Sequence, residues 1–142
     1  MTENNDYRKI ELVFNNYVLD KNNIPNQSGI YVICRGNIIN QNICISEVLY
    51  IGESEDMHNR LANKHEKIPQ CTINAVFNNE ILIYFYALVP NHDNRELAEK
   101  ALIFKVKPKF NDKIDLPIAS KTKIISYSNL GFPQEIVINN QK

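Results

Sequence analysis

The chain has little glycine, no tryptophan, no net charge and no long apolar run. It has four glycines and no tryptophan among 142 residues, and its 16 basic side chains are balanced by 16 acidic ones. Since the net charge is zero, the composition indicates no charged partner, and a nucleic-acid binder would need cations clustered locally. The polar start lacks the layout of a signal peptide, and the longest apolar run, Ile81 to Pro90, is too short to span a bilayer. We therefore expect a cytoplasmic protein with no membrane partner.

Cysteine is scarce and irregularly placed. Cys34, Cys44 and Cys71 form no CxxC pair. A zinc site built from them and the histidines would need unusual spacing. We therefore expect free, buried thiols in a reducing compartment.

The hydrophobic pattern predicts one mixed domain over residues 1–142, a length that suits a single core. Its core, residues 28–111, is predicted in the order β-β-α-β-α. Apolar spacing predicts an N-terminal helix over residues 5–20, and turn residues divide the C-terminal extension, 112–142, into extended pieces. Within the core we expect strands at 29–35, 47–51 and 80–89, the last covered on both faces, and helices at 54–67 (capped by Ser54) and 93–106.

Half of the glycines lie in two related tripeptides. Gly29-Ile30-Tyr31 falls in the first predicted strand and Tyr50-Ile51-Gly52 in the second. Ten residues after Tyr50, Arg60 lies in the next predicted helix. Glu99 lies in the last predicted helix, which leads into Lys107-Pro108-Lys109-Phe110-Asn111.

In order and spacing, these five elements resemble the motifs of the GIY-YIG nuclease family, over about Gly29 to Asn111. The resemblance implies an α+β fold with a small antiparallel sheet of about three core strands flanked by helices. It also implies a DNA endonuclease that uses one divalent cation, Mg²⁺ or Mn²⁺. The tripeptide tyrosines are nineteen residues apart, against about ten in the family. The extra residues fall in the link from Gly36 to Ser46, where a short strand around Ile43 to Ile45 would extend a hairpin.

The residue types suit phosphodiester hydrolysis, which needs a nucleophilic water, neutralised phosphate charge and a protonated leaving oxygen. Glu99 is the candidate metal ligand, because Mg²⁺ keeps much of its hydration shell and needs few carboxylates. Arg60 offers a planar fork that matches phosphate oxygens. The resemblance makes Tyr31 the candidate base, a role that requires the pKa of its phenol to be lowered by the metal or Arg60.

Three further residues complete the predicted site. Tyr50 would position water or phosphate by hydrogen bonding. Asn111 would tie the end of the last helix to the site or hold the strands that carry the tyrosines. Many family members place a histidine about one turn after the arginine. At five residues after Arg60, His65 is predicted to face either the site or away from it.

Taken alone, each of these residues has an ordinary structural role. Either tyrosine would be a half-buried strand residue, and Arg60 would be a solvated helix charge. Glu99 would pair with Arg95 one turn earlier, and Asn111 would cap a helix. The complete set, in order, favours a catalytic site.

Lysines cluster around the end of the last predicted helix. We expect Lys64, Lys105, Lys107 and Lys109 to contact the phosphates of a DNA partner, the alternative being a solvated lysine-rich face.

Acidic charge after the second tripeptide keeps a second hypothesis open. Glu53, Glu55 and Asp56 would repel phosphate, hold a second cation, or point away from the site. If they weaken catalysis, the chain is a nuclease-fold module that binds nucleic acid or a protein partner. The sequence does not distinguish DNA from RNA as the substrate. A homodimer would allow both strands to be cut.

Overall fold

Two three-stranded sheets and three α-helices make up the part of the chain that the structure describes. This computed structural model describes residues 6–63, 65–119 and 121–140. The strands in chain order are β1 (Arg8–Val13), β2 (Gly29–Ile39), β3 (Asn42–Ser54), β4 (Ile81–Leu88), β5 (Thr122–Tyr127) and β6 (Glu135–Ile138), and the helices are α1 (Met57–Ala62), α2 (Ile68–Phe77) and α3 (His92–Val106).

The central sheet has the strand order β3-β2-β4 and is antiparallel throughout. This confirms the α+β class and the sheet of three core strands. Tyr31 lies opposite Gly52, and Ile33 lies opposite Tyr50. Because cross-strand neighbours and residues two apart share a face of a sheet, both tyrosines lie on the same face.

Hydrophobic clusters cover both faces of this sheet. On one face Val32 and Phe85 belong to a cluster that includes residues of α3, β1, β5 and β6. On the other, Tyr31 and Ile33 share a cluster with Leu61 of α1 and residues of α2. The expectation that β4 is covered on both faces is confirmed.

The N-terminal segment is a strand, so the predicted helix over residues 5–20 is wrong. Buried Ile10 and Leu12 alternate with exposed Lys9 and Glu11, which is the period of a strand. β1 pairs in parallel with β5, near the other end of the chain. Because that partner is remote in sequence, local apolar spacing does not reveal it.

The single helix predicted over residues 54–67 is wrong in length, and a second helix follows it. Asp56, not Ser54, is the N-cap of α1, and its carboxylate accepts a hydrogen bond from the Asn59 N–H at 3.1 Å. After α1 ends at Ala62, α2 begins at Ile68 with Pro69 in its first turn. Proline suits that place because the N–H groups there have no partner within the helix. Pro69 therefore begins a helix instead of ending one.

The link between the tripeptides continues both strands as a hairpin. Its tip is a two-residue turn at Asn40 and Gln41, whose φ angles are 52° and 67°. Such left-handed pairs close the two-residue turns that match the twist of the strands. The short strand predicted around Ile43 to Ile45 lies within β3. The C-terminal extension contains β5 and β6, which confirms its extended pieces.

All three cysteines are free thiols. Cys34 and Cys71 are buried as expected, whereas Cys44 is exposed on the hairpin, which corrects the prediction for that residue. Among the described helices, none is both long and apolar enough to cross a lipid bilayer.

Candidate active site

The two tripeptides bring their tyrosines together on one face of the sheet. The ring centroids of Tyr31 and Tyr50 are 6.3 Å apart, with planes tilted by 31°. A Cβ atom on Gly52 would overlap the ring and hydroxyl of Tyr31. A Cβ on Gly29 would overlap the Ala87 carbonyl of β4. Both glycines are therefore required by close approach, which explains why the tripeptides contain them.

His65 lies against both tyrosines. It is 3% exposed, and its Nε2 lies 2.7 Å from the Tyr31 hydroxyl. The ring is edge-on to Tyr31 and to Tyr50, at centroid distances of 5.6 and 5.3 Å. His65 is in the turn after α1. The spacing of one helical turn from Arg60, which holds only within a continuous helix, therefore does not determine its direction. Of the two orientations considered from the sequence, the structure has the one facing the tyrosines.

The backbone after His65 sets the tautomer of its ring. The Lys67 N–H donates to His65 Nδ1 at 3.1 Å, which leaves Nε2 to carry the ring hydrogen. His65 therefore donates to the Tyr31 oxygen. Burial, together with the cations of Arg60 and Lys21, lowers the pKa of His65 to about 4. The ring is neutral at pH 7.

The charges of Arg60 and Glu99 act on both phenols. Burial raises the pKa of Tyr31 and that of Tyr50, and Glu99 raises both further while Arg60 lowers both. Effects of this kind require proximity, since Coulomb interactions fall with distance. Tyr31 of β2, Tyr50 of β3 and His65 of the turn after α1 are in direct contact. Arg60 of α1 and Glu99 of α3 lie close enough for their charges to act on both phenols.

Arg60 is half-buried on α1 and is available to a ligand. No carboxylate of the described residues lies within salt-bridge distance of it. Lys21, in a 3₁₀ turn over Lys21–Asn23, donates to the Leu61 carbonyl at 3.1 Å and so holds the end of this short helix. The guanidinium thus has no ion-pair partner in the described part of the chain and can bind an anionic ligand.

Glu99 is a half-buried carboxylate. The pairing with Arg95 one turn earlier that its helical spacing suggests does not form, since Arg95 pairs with Glu53. Burial and the neighbouring Glu53 carboxylate, opposed by the cation of Lys100, raise the pKa of Glu99 to about 7. Arg95, only 1% exposed, is directed instead to Glu53, with Nε to Oε2 at 3.3 Å. A divalent cation bound by Glu99 would relieve the repulsion between the Glu99 and Glu53 carboxylates. A carboxylate oxygen is also the kind of ligand that Mg²⁺ prefers, so Glu99 fits a metal site.

Asn111 joins the end of α3 to the strand that carries Tyr50. Its side-chain oxygen accepts from the Ile51 N–H at 2.8 Å, and its amide nitrogen donates to the Ile51 carbonyl at 2.9 Å. The Phe110 N–H also donates to the Leu49 carbonyl at 2.8 Å. Residues after α3 therefore occupy the outer edge of β3 as a further strand would. Asn111 therefore ties the end of α3 to the strand that carries Tyr50, as the first of its two predicted roles requires.

The acidic residues after the second tripeptide have separate surroundings. Glu53 pairs with Arg95, Asp56 caps α1, and Glu55 is exposed. The carboxylates of Glu53 and Glu96 and the ring of His92 have ligand atoms within 4.8 Å of one another, a set that could hold a metal ion. Arg95 already contacts His92 Nδ1 at 3.2 Å.

The predicted lysines lie near the end of α3, apart from Lys64, which is outside the described residues. Lys105, Lys107 and Lys109 are exposed. The ammonium groups of Lys105 and Lys107 lie 5.8 and 5.2 Å from the centroid of the Phe104 ring. Such contacts hold the cations at one surface.

Two residues of the site environment were missed by sequence reasoning. Arg95 shares the spacing of the buried Ala98 and Leu102 on α3, a signal that would have placed it on the buried face. Lys21 offers no such signal, because its contact with α1 crosses from a loop.

Comparison with known proteins gives one structural likeness. No protein-family model matches the chain, and no curated protein matches it. Among solved structures, the chain is similar to the GIY-YIG N-terminal endonuclease domain of UvrC from Thermotoga maritima, a point mutant bound to its catalytic divalent cation. The two are 23% identical with a TM-score of 0.45, and the likeness covers 66% of this chain and 91% of the other.

Proposed function

We propose that the protein is a divalent-metal-dependent endonuclease that hydrolyses phosphodiester bonds of DNA. The observation that carries this proposal is the convergence of two phenols, one guanidinium, one neutral imidazole and one carboxylate of raised pKa around Tyr31. Each group has a use in phosphodiester hydrolysis, and they come from separate segments of the chain.

Arg60 and Glu99 would handle the charge of the substrate. Arg60 has no ion-pair partner among the described residues, so its fork can receive two phosphate oxygens. Glu99 would hold a single Mg²⁺ or Mn²⁺, with Glu53 adding negative charge nearby. When bound, the cation supplies Lewis-acid stabilisation of the phosphate and the leaving oxygen.

Tyr31 would accept the proton of the attacking water in its phenolate form. Burial opposes that form, because it raises the pKa of the phenol. The donor hydrogen bond from His65 Nε2 and the charge of Arg60 favour it. Tyr50, beside Tyr31 and His65, would orient the water or a phosphate oxygen, and Asn111 would keep its strand fixed to α3.

DNA is the substrate class we propose, in a protein of the cytoplasm, where its three thiols would remain reduced. Exposed Lys105, Lys107 and Lys109 supply phosphate-binding charge on a chain of zero net charge. The acidic residues that favoured a catalytically weak binding module have structural partners at Glu53 and Asp56. The binding module therefore has less support than the enzyme.

The proposal is tested by plasmid nicking with Mg²⁺ or Mn²⁺. Glu99→Gln and Arg60→Gln should each lower the rate at least about 100-fold, as loss of a group that stabilises transition-state charge does. Glu11→Gln and Lys9→Gln, at exposed positions of β1, are matched controls and should retain the wild-type rate.

Two outcomes contradict the proposal. Wild-type protein that cuts neither DNA nor RNA with either metal would remove the enzymatic function, and RNA-only cleavage would correct the substrate. Undiminished cleavage by both site variants would show that the reaction occurs elsewhere. Tyr31→Phe should cost roughly 100-fold if Tyr31 is the base; a loss below about tenfold would assign proton transfer to another group.

A further inference from the structure

A concave groove of about 370 Å³ opens at the end of α3. Asn111 lines this groove, and the same side chain is bonded to Ile51, between Tyr50 and Gly52. One residue that lines the groove is therefore bonded directly to the strand that carries Tyr50.

The groove combines an apolar floor with a cationic rim. Its apolar lining is formed by Ile103, Phe104, Pro108 and Ile114. Its charged lining consists of Lys107, Lys109 and Lys113 together with Asp112 and Asp115. Lysines are in excess, and the contact of Lys105 with the Phe104 ring adds a further cation at the rim.

Phe104 is free to contact a ligand. It is half-exposed, and it is not among the side chains that pack against the two hydrophobic clusters of the described residues. Its ring is instead in contact with two ammonium groups. An aromatic face next to cations is the combination that binds a base together with its phosphate.

We propose that this groove binds an unpaired stretch of the substrate strand, so that the enzyme acts on nucleic acid with a single-stranded segment beside the cleavage point. Intact duplex presents phosphates outward and keeps the faces of its bases stacked inside. It can satisfy the lysines but cannot fill a concave apolar floor. An unpaired strand supplies both phosphates and exposed base faces. The inference rests on the proposed function for its choice of a nucleic-acid ligand.

The test measures binding without cleavage. Fluorescence anisotropy in EDTA compares a blunt DNA duplex with the same duplex carrying a single-stranded overhang. We expect the overhang DNA to bind wild-type protein roughly tenfold more tightly, the size of one base–aromatic stacking contact. Phe104→Ala should lose this preference. Phe77→Ala, which removes an aromatic ring that is 84% exposed on α2, should keep it.

Each alternative result overturns the inference. Equal affinity for the two DNAs, or no measurable binding of either, would show that the groove does not bind an unpaired strand. A preference that persists in Phe104→Ala would place the strand elsewhere. An acidic peptide that binds wild-type protein more tightly than overhang DNA, and is lost in Phe104→Ala, would assign the groove to a protein partner. Because the assay contains no metal, failure of the nicking test leaves its result unaffected.

Discussion

At the scale of single residues, close approach explains the motif better than backbone flexibility does. Gly52 is a strand residue, and the space that its missing Cβ leaves is filled by the ring and hydroxyl of Tyr31. The second tripeptide thus supplies one tyrosine and the room for the other. The sequence shows both glycines but cannot show what occupies the space beside them.

Gly52→Ala should lower the nicking rate at least about 100-fold, because displacement of a reacting group by about 1 Å has that effect. The Cβ must push the Tyr31 ring aside in a buried site, so we also expect a loss of roughly 1–3 kcal/mol in the free energy of unfolding. Nicking assays and urea unfolding measure the two effects. A wild-type rate in this variant would mean that the position of Tyr31 is unimportant.

His65 gives the folded protein a characteristic pH dependence. Its pKa is about 4 in the folded state against 6.5 for the free side chain. Between these values the unfolded chain binds a proton that the folded chain does not. The stability that the neutral His65 ring contributes is therefore fully present above pH 6.5 and is lost as the pH falls towards 4. The loss is on the order of 3 kcal/mol.

Urea unfolding of wild type and His65→Gln across this pH window measures the effect. The wild type should lose stability more steeply on acidification, and the difference cancels contributions from the carboxylates. His58→Gln is the matched control, since Gln can still donate to the Ile24 carbonyl that His58 contacts at 2.9 Å. Parallel curves for wild type and His65→Gln would contradict a buried neutral imidazole.

At the scale of elements, the core strands and α3 were predictable because their signals are local. Turn residues bound β2 and β4, and α3 has a clear start before its apolar pattern. β1 and α2 were not predictable for opposite reasons. β1 depends on pairing with a distant strand, and the signal of α2 was hidden because Pro69 was interpreted as a helix end.

Arg95 fixes α3 to the central sheet. Its buried guanidinium contacts Glu53 at the end of β3 and donates to the Val89 carbonyl at 3.2 Å. Arg95→Met should lower the free energy of unfolding by about 3 kcal/mol, because it removes the buried partner of a part-buried ion pair and leaves Glu53 and the Val89 carbonyl without that donor. Lys100→Met, at an exposed position of the same helix, should change it little. Equal urea midpoints for the two variants would show that Arg95 does not anchor α3.

At the scale of the whole molecule, zero net charge conceals an uneven surface. Lys105, Lys107 and Lys109 lie around one groove, whereas Arg8, Lys9 and Lys123 lie on the second sheet. The zero net charge by itself gave no indication of a nucleic-acid partner. The cluster was visible in the sequence, but its link to the strand that carries Tyr50 was not, because that link depends on Asn111 bonding to β3.

Replacing Lys105, Lys107 and Lys109 with Gln should weaken DNA binding and lower the slope of log affinity against log salt by roughly 2 to 3, about one for each phosphate that is no longer neutralised. Replacing Arg8, Lys9 and Lys123 with Gln changes the net charge equally and should leave the slope unchanged. Anisotropy titrations over a salt series measure both slopes. Equal slopes in the two triple variants would mean that DNA does not approach the groove.

The order and spacing of the tripeptides, Arg60 and Glu99 predicted which residues form the candidate site. Their convergence required coordinates, because the sequence does not specify how α1 and α3 pack against the strands. His65 shows this limit most clearly. Helical spacing left its direction open, and the break between α1 and α2 is what turns it towards Tyr31.

The β2–β3 hairpin explains how nineteen residues can separate two tyrosines that still lie side by side. An antiparallel ribbon can be extended at its tip by adding residues to both strands, and the pairing at its base is unaffected. Tyr31 and Tyr50 lie at that base, and the Asn40–Gln41 turn is at the far end. A spectroscopic label or a short foreign peptide spliced into that turn would therefore extend outward from the molecule while the phenols keep their separation.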